Sequence, residues 1–256
     1  ETDIFVRIFE NNKKWVEEKT KNDPGFFIRT AQSQNPEILY IGCSDSRVNP
    51  YEIMGLQPSD LFIHRNVANL VVNTDMNAQA VLQFAVEQLK VKHIIVCGHH
   101  GCGGVKAAME PKDRGLLNGW LREIRDVYRS HKDELKSIKS EKRRFDRLVD
   151  LNVQEQCIKV LKTSWVEKSF YETGYPLVHG CVYDLASGNL LDLDVNFEVI
   201  LEDIKEIYDL EKKIKLFRVF LSKKQTGKEG SFPSARLTQN LPRTSLLPDS
   251  IQTIAT

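Results

Sequence analysis

The sequence predicts an α/β protein: a mostly parallel central β-sheet of about four strands plus an antiparallel edge strand, flanked by helices, with an N-terminal helical arm. Three observations carry that prediction. Short unbroken apolar runs, Ile38-Leu39-Tyr40-Ile41 and Ile94-Ile95-Val96, read as parallel strands buried on both faces. Such runs alternate with segments of helical period, as βαβ units require. Two of the runs also lead straight into turn residues and into side chains that bind metals, Cys43 and His99. In an open α/β sheet, the carboxyl ends of the strands are where ligands bind.

In chain order, residues 1–35 form the arm, helical and polar, with Phe5, Ile8, Phe9 and Trp15 spaced for one apolar face and a turn at Asp23-Pro24-Gly25. Its small amphipathic surface is suited to packing on a partner subunit or on the domain. Strands are expected at 37–43, 60–64, 92–97 and 176–183. A helix over about 75–90 joins the second and third, with Asp75 near its start where a carboxylate favours the helix dipole. A long helical stretch over about 140–172 carries a wide apolar stripe that includes Val149, Val153, Cys157 and Val160, and Gly174-Tyr175-Pro176 ends it. Segments 178–183 and 190–195 flank Ala186-Ser187-Gly188-Asn189 as a hairpin that adds the antiparallel edge. A helix over about 197–217 closes the fold, and 221–256, rich in Ser, Thr, Pro and Gln, reads as a disordered or loosely docked tail.

The 256 residues suffice for a full core, and 41% apolar with 28% charged residues is ordinary for a globular protein. A formal net charge of +1 gives no field for nucleic acid, and no run approaches the roughly 20 apolar residues of a membrane span. The basic stretch from Lys136 to Arg147 reads as a solvated helix face. Five cysteines, odd in number and three of them in apolar segments, fit a reducing compartment better than a disulfide scaffold. The cytoplasm is therefore the expected location. A targeting segment removed before Glu1 is compatible with the sequence.

The chemistry concentrates in Cys43-Ser44-Asp45-Ser46-Arg47 and His99-His100-Gly101-Cys102. Cys43, His99 and Cys102 at strand ends could converge on one metal with a fourth position open. Two thiolates and an imidazole suit zinc, and three protein ligands with an open position is the catalytic arrangement. Zinc acidifies bound water, although thiolate ligands blunt the effect, so a helper is useful. Asp45 could accept a hydrogen bond from that water, and a bidentate Arg47 would orient the carboxylate and keep it ionised.

These motifs, together with Arg65-Asn66-Val67-Ala68-Asn69 and Gly98 to Gly104, resemble the β-class carbonic anhydrases over about residues 5–210. The resemblance implies one Zn2+ per chain held by Cys43, His99 and Cys102, within an α/β zinc-enzyme domain over 36–220. It implies reversible hydration of carbon dioxide to bicarbonate and a proton, with zinc hydroxide as nucleophile oriented by Asp45 and Arg47. Gln34 falls on an amide that contacts substrate; Phe62 and Val67 fall on apolar pocket positions, and Gly103 would let backbone approach the substrate. The partners implied are carbon dioxide, bicarbonate, water and further copies of the chain in a homodimer or homotetramer. Val48 and Arg65 match members in which Asp45 closes onto zinc. The two aromatic positions of those members' bicarbonate pocket hold Tyr40 and Phe84 here, and Phe84 lacks the hydroxyl donor. His100 is a candidate for proton transfer, His64 reads as structural or near the interface, and His93, His131 and His179 read as surface or core groups. Two rival readings are hydrolysis of carbonyl sulfide or carbon disulfide on the same zinc, and a zinc-stabilised interaction protein without activity.

Overall fold

The structure, a computed structural model, describes residues 3–195; the expected helix over 197–217 and the tail from 221 lie outside them. Five strands form one sheet in the order β2-β1-β3-β4-β5. They are β1 (Ile38–Cys43), β2 (Leu61–Asn66), β3 (His93–His99), β4 (Leu177–Tyr183) and β5 (Leu190–Asp192). The first four are parallel and β5 pairs antiparallel with β4, matching the expected topology.

The arm is helical as expected: α1 (Ile4–Asn22) is capped by Asp3, whose carboxylate accepts from the Phe5 N–H, and α2 (Phe26–Gln32) follows the Asp23 turn. The next helices are α3 (Pro50–Met54) and α4 (Met76–Gln83), the latter continued by a π turn over Phe84–Gln88, so the expected helix over 75–90 exists with a change of pitch. Helix α3 and three further helices, α5 (Gly103–Met109), α6 (Leu117–Ser130) and α7 (Lys132–Ser137), have no counterpart in the sequence reading. The expected stretch over 140–172 is two helices, α8 (Glu141–Leu161) and α9 (Ser164–Thr173). Thr163 separates them: it takes extended φ/ψ and its hydroxyl donates to the Val160 carbonyl at 2.7 Å.

Helix α8 packs on β3 and β4, and two glycines let it approach. A Cβ on Gly98 would stand 2.6 Å from Val153, and one on Gly180 would stand 3.2 Å from both Val153 and Cys157. On this face of the sheet Leu39, Ile41, Ile94, Val96, Val178 and Val182 are almost fully buried beneath α8 and its neighbours.

The opposite face is only half covered. Tyr40, Leu61 and Cys97 are buried there, but Ile38, Ile63, Ile95, Cys181 and Tyr183 keep part of their surface exposed. Parallel sheets are ordinarily covered on both faces. In α1 the apolar residues Phe5, Ile8 and Phe9 are more than half exposed.

Candidate metal centre

Strands β1 and β3 lie side by side, with Gly42 in register with Cys97. Cys43 and His99 therefore finish neighbouring strands at the same edge of the sheet. A turn through Gly101, at φ 75, then delivers Cys102 to the start of α5. The three ligand atoms lie within 4.8 Å of one another and all three residues are buried. The two sulfurs are 3.9 Å apart. Tetrahedral zinc with Zn–S bonds near 2.3 Å spaces its sulfurs by roughly 3.8 Å, so the cluster has the right size for that ion.

The histidine is preset as well. His99 Nδ1 lies 3.1 Å from the His100 carbonyl, to which it must donate. Nε2 then carries a lone pair, in a ring with no exposure, and it has no hydrogen-bond partner. A buried acceptor left unpaired is costly, and a metal ion would satisfy it. The sulfurs lie within hydrogen-bond reach, either able to donate, and the contact lowers the Cys43 pKa while raising that of Cys102. Zinc takes the place of a thiol proton, because thiolates rather than thiols are its ligands.

Asp45 and Arg47 form the expected pair. Arg47 donates from Nε to Oδ1 at 2.9 Å and from its guanidinium end to Oδ2 at 2.7 Å, and its backbone N–H reaches Oδ1 at 3.0 Å. These donors hold the Asp45 carboxyl well below the usual carboxylate range, so it is ionised. Its Oδ2 stands 3.6 Å from His99 Nε2, pointing at the ligand cluster without belonging to it. Arg65, read from sequence only as a match to regulated members, clamps this loop from β2. It donates to the carbonyls of Cys43 at 2.8 Å and of Asp45 at 2.6 Å. Neither carbonyl has a signature in the sequence.

The other expected residues divide. Val67 is 38% exposed beside the cluster, and Phe62 packs on Phe84 with ring centroids 5.7 Å apart. A Cβ on Gly103 would meet no atom of this chain, whereas one on Gly104 would stand 2.8 Å from Val67 Cγ1 and 3.2 Å from Ala68 Cβ. The steric demand within the chain thus falls at Gly104, which composition of the motif could not separate from Gly103. Gln34 lies in the exposed segment ahead of β1, whereas Cys43 ends that strand roughly 16 Å further along. Its own chain's cluster is at the far end of the strand. Val48 is buried behind the Asp45 loop, where its N–H donates to the Asp45 carbonyl at 3.2 Å.

One expectation is corrected. Tyr40 and Phe84 do not share a pocket: Tyr40 is buried on the half-covered face with Tyr183 nearby, while Phe84 packs with Phe62 on the α8 side. Alternation along β1 sends Tyr40 to the face opposite Leu39 and Ile41. Among the histidines, His100 is flanked by Asp150 at 3.3 Å and Asp184 at 3.8 Å. His64 is buried and meets Asn66, His93 and His179 hydrogen-bond to each other at 3.0 Å, and His131 pairs with Glu134 on the surface.

A mostly parallel α/β sheet with a buried zinc-type ligand set at its carboxyl edge, beside an ionised carboxylate gripped by arginine, defines a metalloenzyme. Residues 38–190 match the family described as carbonic anhydrase. A carbonic anhydrase of Emericella nidulans is 54% identical over 206 residues, covering 80% of this chain and 90% of that protein. Among solved structures, a β-carbonic anhydrase of Sordaria macrospora, described as tetrameric, is 42% identical, with a TM-score of 0.71, covering 74% of this chain and 96% of that one. One of Aspergillus fumigatus is 39% identical with a TM-score of 0.74, covering 80% and 98%. The chain belongs to the carbonic anhydrases, in their β class.

Proposed function

We propose that the protein interconverts carbon dioxide and bicarbonate at the Cys43–His99–Cys102 centre. The observation that carries the reading is the unpaired, buried Nε2 of His99, within 4.8 Å of both sulfurs and 3.6 Å from Asp45 Oδ2. Cys43, His99 and Cys102 would hold zinc, which when bound would supply the Lewis acidity that makes water a nucleophile near neutral pH. Asp45, kept ionised by Arg47, would accept a hydrogen bond from water at the open position and so orient it toward the substrate. Arg47 holds the carboxylate still through three contacts, so orientation is prepaid. Val67 and Phe62 offer apolar walls that suit a small uncharged substrate, and Gly103 leaves backbone open to it. Asp45 closing onto the metal would require releasing the grip of Arg47.

The assembly we propose is a homodimer or homotetramer. The half-covered sheet face and the exposed apolar residues of α1 support it, as does the description of the Sordaria relative as tetrameric. In that arrangement Gln34 acts at the site of a neighbouring copy, which accounts for its distance from its own cluster. We place the protein in the cytoplasm; the five free cysteines support a reducing surrounding. Among the described residues no helix is long and apolar enough to cross a membrane. The domain comprises residues 36–220, with 1–35 as the arm.

Stopped-flow measurement of carbon dioxide hydration tests the reading. Zinc-loaded protein at alkaline pH should exceed a Cys43→Ser control by orders of magnitude. Equal rates would overturn it.

A further inference from the structure

The loop that follows β2 is held in a conformation its residues do not favour. Ala68 and Asn69 are consecutive, non-glycine and both left-handed, at φ 65 and 50, and both are buried. Such backbone persists only where its surroundings over-determine it. Here four side chains do so. Trp120 donates to the Val67 carbonyl at 2.8 Å, and Asn66 accepts from the Leu70 N–H and donates to its carbonyl, each at 2.7 Å. From α8, Asn152 Nδ2 donates to the Ala68 carbonyl at 3.1 Å, Gln156 Nε2 donates to Asn152 Oδ1 at 3.1 Å, and Gln156 Oε1 accepts from the Val71 N–H at 2.8 Å. Asn152 and Gln156 are 1% and 0% exposed. Two amides in an apolar helix face are expensive unless paired, so their pairing has a specific object.

That object is the ligand set. The turn over Val67–Asn69 touches β1 and β3, which end in Cys43 and His99, and α5, which Cys102 caps. Val67 and Ala68 press on Gly104 just past Cys102, where a Cβ would stand 2.8 Å from Val67 Cγ1 and 3.2 Å from Ala68 Cβ.

We propose that Asn152 and Gln156 are positioning residues for the metal centre: their buried amide chain fixes the 67–71 loop against Cys43 and against the turn after Cys102. They touch neither substrate nor metal. They act through the 67–71 loop, setting the spacing of the two sulfurs. Groups of this kind, supporting ligands from behind, typically change metal affinity or activity by about 10–100-fold when lost.

The test compares zinc-loaded wild-type protein with Asn152→Leu, Gln156→Met and the milder Gln156→Glu, which keeps the acceptor for Val71 but removes the donor to Asn152. Leu148→Ala, a buried α8 position outside the chain of amides, serves as control for plain loss of stability. Zinc dissociation constants are read by competition with a colorimetric chelator, and the sulfur-to-cobalt charge-transfer band is read after cobalt replacement. The amide variants should bind zinc about 10–100-fold more weakly and shift the band. Leu148→Ala should retain wild-type affinity and spectrum at an equal or greater fall in unfolding temperature. Amide variants within threefold of wild type with an unmoved band, or a control that weakens zinc as much, would overturn the proposal. If Asn152→Leu does not fold, Gln156→Glu decides alone. The inference rests on Cys43 being a zinc ligand: wild type and Cys43→Ser binding zinc alike would sink that assignment, whereas normal wild-type binding with unaffected amide variants sinks only the positioning role.

Discussion

Arg47 grips both oxygens of the Asp45 carboxylate, at 2.9 and 2.7 Å, while Asp45 Oδ2 stands 3.6 Å from His99 Nε2. The geometry fixes a negative charge beside the ligand cluster without letting it join. Asp45→Asn removes that charge, and Arg47→Ala leaves only the backbone N–H of residue 47 to hold the carboxylate. Each should lower kcat/KM for hydration by about 100-fold or more, the usual scale of a positioned proton acceptor. Zinc content by atomic absorption should remain near one per chain in both. A loss of metal in step with activity would show the pair to be structural.

Removing zinc should destabilise the fold as well as stop the reaction. It leaves His99 Nε2 buried without a partner and two sulfurs 3.9 Å apart. Ligand binding to the native state alone stabilises by mass action, so chelation should lower Tm by at least about 5 °C for tight zinc. Calorimetry before and after chelator, with recovery on adding zinc back, checks this.

Adjacent glycines should behave differently. Gly104→Ala pushes a Cβ to 2.8 Å from Val67 and 3.2 Å from Ala68, overpacking that should cost about 1–3 kcal/mol. Gly103→Ala meets open space in this chain and should leave unfolding by urea almost unchanged. Any effect of it should fall on turnover.

Stability should decline on mild acidification. Burial lowers the pKa of His64, His93 and His179 below the ordinary 6.5. A folded-state pKa below the unfolded one means that the unfolded chain binds more protons in between. The contribution is complete above about pH 6.5 and is lost as pH falls toward the lowered folded values. Around His93 and His179 the carboxylates of Glu37 and Asp192 work against the shift, and Lys92 works with it on His93. Urea unfolding at pH 7.5 and 5.5 should show lower stability at 5.5, with a shallower pH slope in His179→Gln. An unchanged slope in that variant would remove the buried pair from the account.

Most of the frame was legible because parallel strands and their carboxyl ends announce themselves locally. The runs before Cys43 and His99 became β1 and β3, and their ends carry two of the three residues that could hold a metal ion. What stayed hidden depends on tertiary partners. Helix α6 is the exception: Leu117, Trp120, Leu121, Ile124, Val127 and Tyr128 recur at helical spacing opposite Arg122, Glu123, Arg125 and Asp126, an amphipathic pattern that was present in the sequence and went unused. The stripe on α8 and α9 runs on through Thr163, so apolar spacing alone did not show the break. Tyr40 and Phe84 were paired by the family resemblance alone, and the alternation of β1 together with the position of the π turn parts them. The roles of Asn152, Gln156 and Arg65 lie in backbone carbonyls and amides that leave no trace in residue spacing.

The seat of α8 over Gly98 and Gly180 reaches beyond packing. That single rod also carries Asp150 beside His100 and the Asn152–Gln156 pair above the 67–71 loop. Adding even a methyl group at either glycine would lever the rod outward and tilt everything hung from it. A genetic screen for catalytically dead alleles should therefore return these two sites alongside the reactive ones, even though nothing reactive is there.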